Sequence, residues 1–221
     1  GTLQLGGLHS TQQGYDISYA GASSLTINKA ALTVTANNAG KTYDATAWSG
    51  GNGVSYSGFV NGENEAVLGG TLAYGGNSQG AVNAGNYLIS ASGLSSGNYA
   101  ISYADGALTI NKAALTISSS DVTKTYDGTL NATGNAIVLG GQLFGTDSLS
   151  GGSFAYTDKN AGIGKTVTVN GVTVNDGNGG NNYIVTYADN TGSTINKAAL
   201  TVTANDAGKT YDATAWSGGN G

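Results

Sequence analysis

The chain has 221 residues, 38 of them Gly, with no Pro, Cys or Met, eight Lys and no Arg, and a net charge of −5. Without Cys there is neither a disulfide framework nor a thiolate zinc site, and without Pro or a Gly-X-Y period there is no collagen. An acidic chain lacking Arg has no phosphate-neutralising footprint for nucleic acid, and no apolar run approaches the 18 residues of a membrane span.

Residues 1–28 read as the C-terminal part of a module. Tyr15-Asp16-Ile17-Ser18-Tyr19 alternates as a half-buried strand does, and the lone His9 has no second His or Cys to share chemistry with. Gly1 opens no recognisable signal peptide, so the chain is expected to be a window on a longer one. A first marker follows. Ile-Asn-Lys-Ala-Ala-Leu-Thr begins at Ile27 and returns at Ile110 and Ile195, steps of 83 and 85 residues. Leu32, Val34 and Ala36 alternate with Thr33 and Thr35, which predicts a strand.

A second marker, Lys-Thr-Tyr-Asp, stands at 41–44, 124–127 and 209–212. It contributes Tyr43, Tyr126 and Tyr211, read as structural rings at the core edge. Asp44, Asp127 and Asp212 are read as turn caps. Trp48 aligns with Asn131 in the next module. A core position rarely exchanges Trp for Asn, so Trp48, and with it Trp216, is expected at a surface, a groove or an intermodule contact. Asn61-Gly62, Asp105-Gly106, Gly151-Gly152 and Asn170-Gly171 predict tight hairpin turns.

Tyr99 to Tyr103 and Tyr183 to Tyr187 repeat the alternating pattern of Tyr15 to Tyr19. Only Asn111-Lys112-Ala113 separates the strand-like Leu108-Thr109-Ile110 from Ala114-Leu115-Thr116-Ile117. Such a link is short and stiff, so the modules are expected to form an extended rod. The neighbouring pairs Asn28/Lys29, Asn111/Lys112 and Asn196/Lys197 point to opposite strand faces and cannot crosslink each other. The Asn- and Gly-rich run 175–182 is a turn with calcium as a weak alternative, through Asp176 and Asn178. No Gly-x-Ser-x-Gly elbow stands between a strand and a helix, and no residue set here makes an enzyme.

Residues 195–221 match 27–53 at every position but one, Asn38 becoming Asp206. Modules therefore alternate: a truncated module at 1–28, type A at 29–111, type B at 112–196, and the N-terminal part of a further type A at 197–221. The expected fold is all-β, with tandem small antiparallel sandwiches of immunoglobulin-like architecture. The alternatives are β-grasp-like modules and a β-solenoid.

Lys124-Thr125-Tyr126-Asp127-Gly128-Thr129, Asp158-Lys159-Asn160-Ala161-Gly162 with Gly164-Lys165, Asn182-Tyr183 and Ile195 to Thr201 resemble the YDG and MBG repeat domains. Module A departs from that pattern, with Tyr43-Asp44-Ala45 in place of Tyr-Asp-Gly, and the junction has Asn-Lys where those repeats often have Pro-Lys. The resemblance implies a stalk or fibre module of a very large bacterial surface or secreted protein. Many such proteins are filamentous-haemagglutinin-like adhesins exported by two-partner secretion. The expected function is that of a rigid extracellular spacer at the bacterial cell surface, in adhesion or a biofilm matrix. Its partners would be neighbouring modules of the same chain. The alternatives are a self-assembling multichain filament of copies of the fibre, or a module binding surface glycans through Trp48. No cofactor is expected.

Overall fold

The computed structural model describes Thr2–Leu3 and residues 23–218; His9 and the Tyr15 to Tyr19 marker lie outside the described residues. Near the start, β1 (Thr2–Leu3) pairs antiparallel with β2 (Ser23–Ser24). The chain divides into two units, 1–111 and 112–221.

The first unit carries β3 (Ala30–Ala36), β4 (Ala39–Thr42), β5 (Val54–Ser57), β6 (Gly69–Gly75), β7 (Gly85–Ser95), β8 (Tyr99–Ala104) and β9 (Gly106–Asn111). They form two sheets, ordered β5-β3-β8 and β4-β9-β7-β6. The second unit repeats the plan with β10 (Ala113–Ser119), β11 (Thr123–Thr125), β12 (Ala136–Gly141), β13 (Ser148–Tyr156), β14 (Gly162–Asn175), β15 (Tyr183–Tyr187) and β16 (Asn190–Asn196). Its sheets are β12-β10-β15 and β11-β16-β14-β13. Among the described residues the one helical piece is a 3-10 turn, Glu65–Val67, opened by the Asn64 side chain accepting from the Ala66 amide.

The alternation read from the sequence places the core. Leu32, Val34 and Ala36 of β3 are buried, as are Ile89 of β7 and Leu108 and Ile110 of β9. β3 approaches β7 in one unit and β10 approaches β14 in the other, so the two sheets of each unit come together there. In the second unit Val122, Tyr156, Val167 and Ile195 form a buried cluster, with Phe154 and Ala132 against it.

Two expectations need correction. The sheets are mixed, not wholly antiparallel: β3–β8 and β4–β9 run parallel, and so do β10–β15 and β11–β16. Apolar alternation has period two in either pairing, so it carries no information about direction. The Gly-containing pairs also do different work. Asn61-Gly62 is a turn with both residues at positive φ, 52° and 73°. Asp105-Gly106 instead marks the step from β8 to β9, where the chain changes sheet. A side chain on Gly106 would stand 2.4 Å from the Ala36 carbonyl oxygen, so only Gly permits the crossing. Gly151-Gly152 lies inside β13 and Asn170-Gly171 inside β14. Across Gly171 the buried positions change parity, from Val167 and Val169 to Val172 and Val174. One residue at positive φ turns the other face of the strand inward.

Residues 197–218 carry no strand. Leu200 and Val202 are 86% and 83% exposed, whereas Leu32 and Val34, at the same places in an identical sequence, are fully buried.

Candidate functional site

The three sequence markers converge on one feature, the pairing of each unit's first strands with its last. In the first unit Ala30 lies opposite Tyr99 in β3–β8, and Thr42 lies opposite Asn111 in β4–β9. Both pairs are 69 residues apart. The register is therefore unchanged across the change of sheet, and 30–42 runs beside 99–111 as a single bent parallel ladder.

Backbone bonds close both ends. The Ala30 amide donates to the Asn98 carbonyl at 2.9 Å, and the Tyr43 amide donates to the Asn111 carbonyl at 2.8 Å. In the second unit Ala113 donates to Asn182 at 2.9 Å and Tyr126 to Asn196 at 2.8 Å. The recurring Asn-Tyr, Lys-Thr-Tyr-Asp and Ile-Asn-Lys segments thus mark the ends of this ladder. At the bend a side chain replaces the missing rung: Ala107 donates to Asn38 Oδ1 at 2.8 Å. In the second unit Asn190 Nδ2 reaches the Ser119 carbonyl at 3.0 Å and Asp121 Oδ1 at 2.8 Å.

The Lys of the second marker staples the turn that follows. Lys41 Nζ donates to Asp44 Oδ1 at 2.6 Å and to the Thr46 carbonyl at 2.9 Å. Asp44 Oδ1 also accepts from the Thr46 amide at 2.9 Å. Lys124, Asp127 and Thr129 repeat this at 2.8, 2.8 and 2.9 Å, and the Lys124 ammonium sits 5.3 Å from the Tyr156 ring centre. For Asp44, burial pushes the carboxyl up, but Lys41 and Thr46 outweigh it and leave it at about 2. For Asp127, the bond from Lys124, followed by those from Thr129, lowers it to about 2. The residue after the Asp has positive φ, 59° at Ala45 and 76° at Gly128. That backbone is the physical reason for Gly in Tyr-Asp-Gly.

Two further clamps come from the alternating Tyr pair. Tyr99 Oη donates to Glu63 Oε2 at 2.5 Å and accepts from the Val60 amide at 3.1 Å. Tyr183 Oη does the same with Asp147 Oδ2 at 2.6 Å and the Phe144 amide at 2.9 Å. The bond to Glu63 is the main reason the Tyr99 hydroxyl titrates above its ordinary value. Four residues on, Tyr103 binds both the amide and the carbonyl of Leu94, and Tyr187 those of Val172. Each hydroxyl supplies partners to a long hairpin next to a Gly at positive φ, Gly93 or Gly171. The sequence marked all four Tyr as a repeat without showing what they hold. The available signal was the partner spacing: Val60 and Glu63 recur as Phe144 and Asp147 at the period of Tyr99 and Tyr183.

The remaining sequence candidates separate from one another. Tyr43 is buried, Tyr126 is 41% exposed and Tyr211 is 90% exposed. Trp48 is half-buried within its own unit. Its amide and carbonyl bond to Ala81 and Gly80, and its indole N–H donates to the Gly50 carbonyl at 3.1 Å. It pins one loop to the turn before β7. Its counterpart Asn131 forms an isolated antiparallel backbone bridge with Ala155. Trp216 is half exposed.

Asp176 is nearly buried. Its Oδ1 accepts from the Asn178 and Gly180 amides at 2.8 and 2.7 Å, and its Oδ2 from the Asn182 amide at 2.9 Å. Burial opposes ionisation, but these amides outweigh it and hold the carboxyl below its ordinary range. The carboxylate is thus spent on N–H donors. Asn178 turns its side chain to Asn182 Oδ1 at 3.0 Å, so the run 175–182 is an Asp-anchored turn. Among the described residues no group of three or more His, Asp or Glu could share a metal ion. Lys29 donates to the Ser96 carbonyl at 2.8 Å. A hollow of about 510 Å³ in the second unit is lined by Tyr126, Asn160, Ala161 and Lys197 to Leu200. No described helix is long and apolar enough to cross a membrane.

The two units are therefore repeats of one all-β plan, distinguished by their loops. Residues 32–109 match the MBG domain (YGX type), and residues 111–192 match the YDG domain, so the chain carries an MBG-type domain followed by a YDG domain. No curated protein and no solved structure matches the chain.

Proposed function

We propose that this chain is a spacer segment of a long repetitive extracellular bacterial adhesin, a stalk that holds a binding region away from the cell surface. The carrying observation is the strand order. In both units the first two strands pair in parallel with the last two, and Lys112 alone stands between β9, the last strand of one unit, and β10, the first of the next. A spacer needs modules that add length without adding slack, and a one-residue link supports that reading. The hydroxyl, ammonium and carboxylate groups described above are engaged in holding loops, which favours a mechanical over a catalytic role. Immunoglobulin-like packing and a rod of such modules belong to the same proposal.

The test is mass in solution by light scattering over a dilution series of the 221-residue chain. A monomer at every concentration fits the single-chain spacer; growth with concentration refutes it in favour of a multichain filament. One observation favours that second reading. β12 is a sheet edge, its Ile137 and Leu139 are 40% and 61% exposed, and it carries no charged residue to discourage pairing.

A further inference from the structure

We infer that each unit is a mechanical clamp, built so that tension between its ends loads the terminal ladder in shear. The register within one unit sets how such a load is carried. Tension enters the first unit at Lys29, pulling β3 toward its N-terminal end. It leaves at Lys112, pulling β9 toward its C-terminal end. Because 30–42 and 99–111 run parallel, these two pulls slide the strands past each other lengthwise. The six register pairs of β3–β8 and the four of β4–β9 then share the force at once. The second unit offers five and three pairs on the same plan. An antiparallel first-and-last pairing would instead open one rung at a time from the pulled end.

The local devices stand where such a load acts. The Tyr43–Asn111 and Ala30–Asn98 bonds are the end rungs, and the Lys41–Asp44–Thr46 staple lies directly behind the end of β4. At the bend, where a ladder changing sheet would be weakest, Asn38 supplies a side-chain rung. This inference deepens the spacer reading and takes its biological setting from it. The measurement lies within one unit, so it can fail while the spacer survives, and oligomer growth in solution would refute the spacer without touching it.

The chain has no Cys, so handles can be placed at will. In single-molecule pulling of the full chain, Lys29→Cys with Lys112→Cys loads the ladder in shear. Lys29→Cys with Glu65→Cys pulls β3 away from the C-terminal end of its antiparallel neighbour β5, a peeling geometry in the same unit. Trp48 fluorescence on heating verifies that both variants are folded. The shear pair is expected to unfold at about twofold higher force or more, since forced unfolding follows the unfolding rate along the loaded direction. Adding Asp44→Ala is expected to lower the force for the 29/112 handles and leave the 29/65 handles unchanged. Equal forces in the two geometries overturn the clamp. An equal loss in both on Asp44→Ala overturns the role of the staple within it.

Discussion

Ala45 holds φ at 59°, a conformation that costs an L-residue with a Cβ roughly 1–2 kcal/mol. Replacing it with Gly removes that cost and adds roughly 0.5–1 kcal/mol of unfolded-state entropy. The net expectation for Ala45→Gly is about 0.5–1 kcal/mol of stabilisation of the first unit. At a urea slope of about 2 kcal/mol/M, this moves the midpoint upward by about 0.3–0.5 M. Trp48 is half-buried beside the same turn and reports the unit directly, provided the exposed Trp216 is changed to Phe to remove its background. The second unit supplies the reverse experiment. Gly128 has φ 76° and no atom within 4 Å of where a Cβ would stand. Gly128→Ala therefore isolates backbone strain from steric clash, and should lower stability by a similar amount. A lowered midpoint for Ala45→Gly, or an unchanged one for Gly128→Ala, would refute the assignment of strain to this position.

The carboxyls of Asp44 and Asp127 are held at about 2 against an ordinary 3.8, so their contribution is full above pH 4 and disappears as pH falls toward 2. Carbon-detected NMR titration should show both midpoints near 2, and Lys41→Met and Lys124→Met should each raise the neighbouring one toward 3.8. Tyr183→Phe leaves the Phe144 amide and Asp147 without their hydroxyl partner and is expected to cost about 1–2 kcal/mol in urea unfolding. A change below a few tenths would show that water replaces the hydroxyl without loss. Asp176→Asn keeps one acceptor oxygen but sets an NH2 against at least one of the three N–H donors, and should cost about 1–3 kcal/mol. Millimolar calcium should leave the melting temperature of the parent chain unmoved, and a rise would revive the calcium reading.

The β character, the repeat and the family resemblance were legible because each is written in short-range pattern. Leu32, Val34 and Ala36 alternate with Thr33 and Thr35, a pattern that marks a strand without naming its neighbour. Strand direction was not legible, because Tyr99-Ala100-Ile101-Ser102-Tyr103 presents the same alternation to a parallel or an antiparallel neighbour. A Gly-containing pair does not by itself specify a hairpin turn. Positive φ serves a hairpin at Asn61-Gly62, a change of face at Gly171 and a close backbone approach at Gly106. The exchange of Trp48 with Asn131 speaks against a shared core position, and Trp48 is half-buried. The exchange could not show that each residue fastens its own loop by a different bond.

The near-identical segments 27–53 and 195–221 separate what the chain encodes locally from what it borrows. The Lys-Thr-Tyr-Asp turn forms in both. Lys209 reaches the Thr214 carbonyl at 2.8 Å, and Asp212 accepts from the Thr214 amide at 3.0 Å. Ala213 adopts φ 59°, as Ala45 does. The turn therefore requires only its own six residues. The strand does not form in both: Ala30–Ala36 is β3, while 198–204 has no strand and its apolar side chains face solvent. In the first unit β3 pairs with β5 and with residues 69 positions downstream in β8, whereas 198–204 has no such pairing among the described residues. The turn is thus encoded locally, whereas β3 stands as a strand between β5 and β8. The terminal ladder joins residues 69 positions apart, so it closes the longest loop of the unit. Its rupture under tension would undo the fold at the same place.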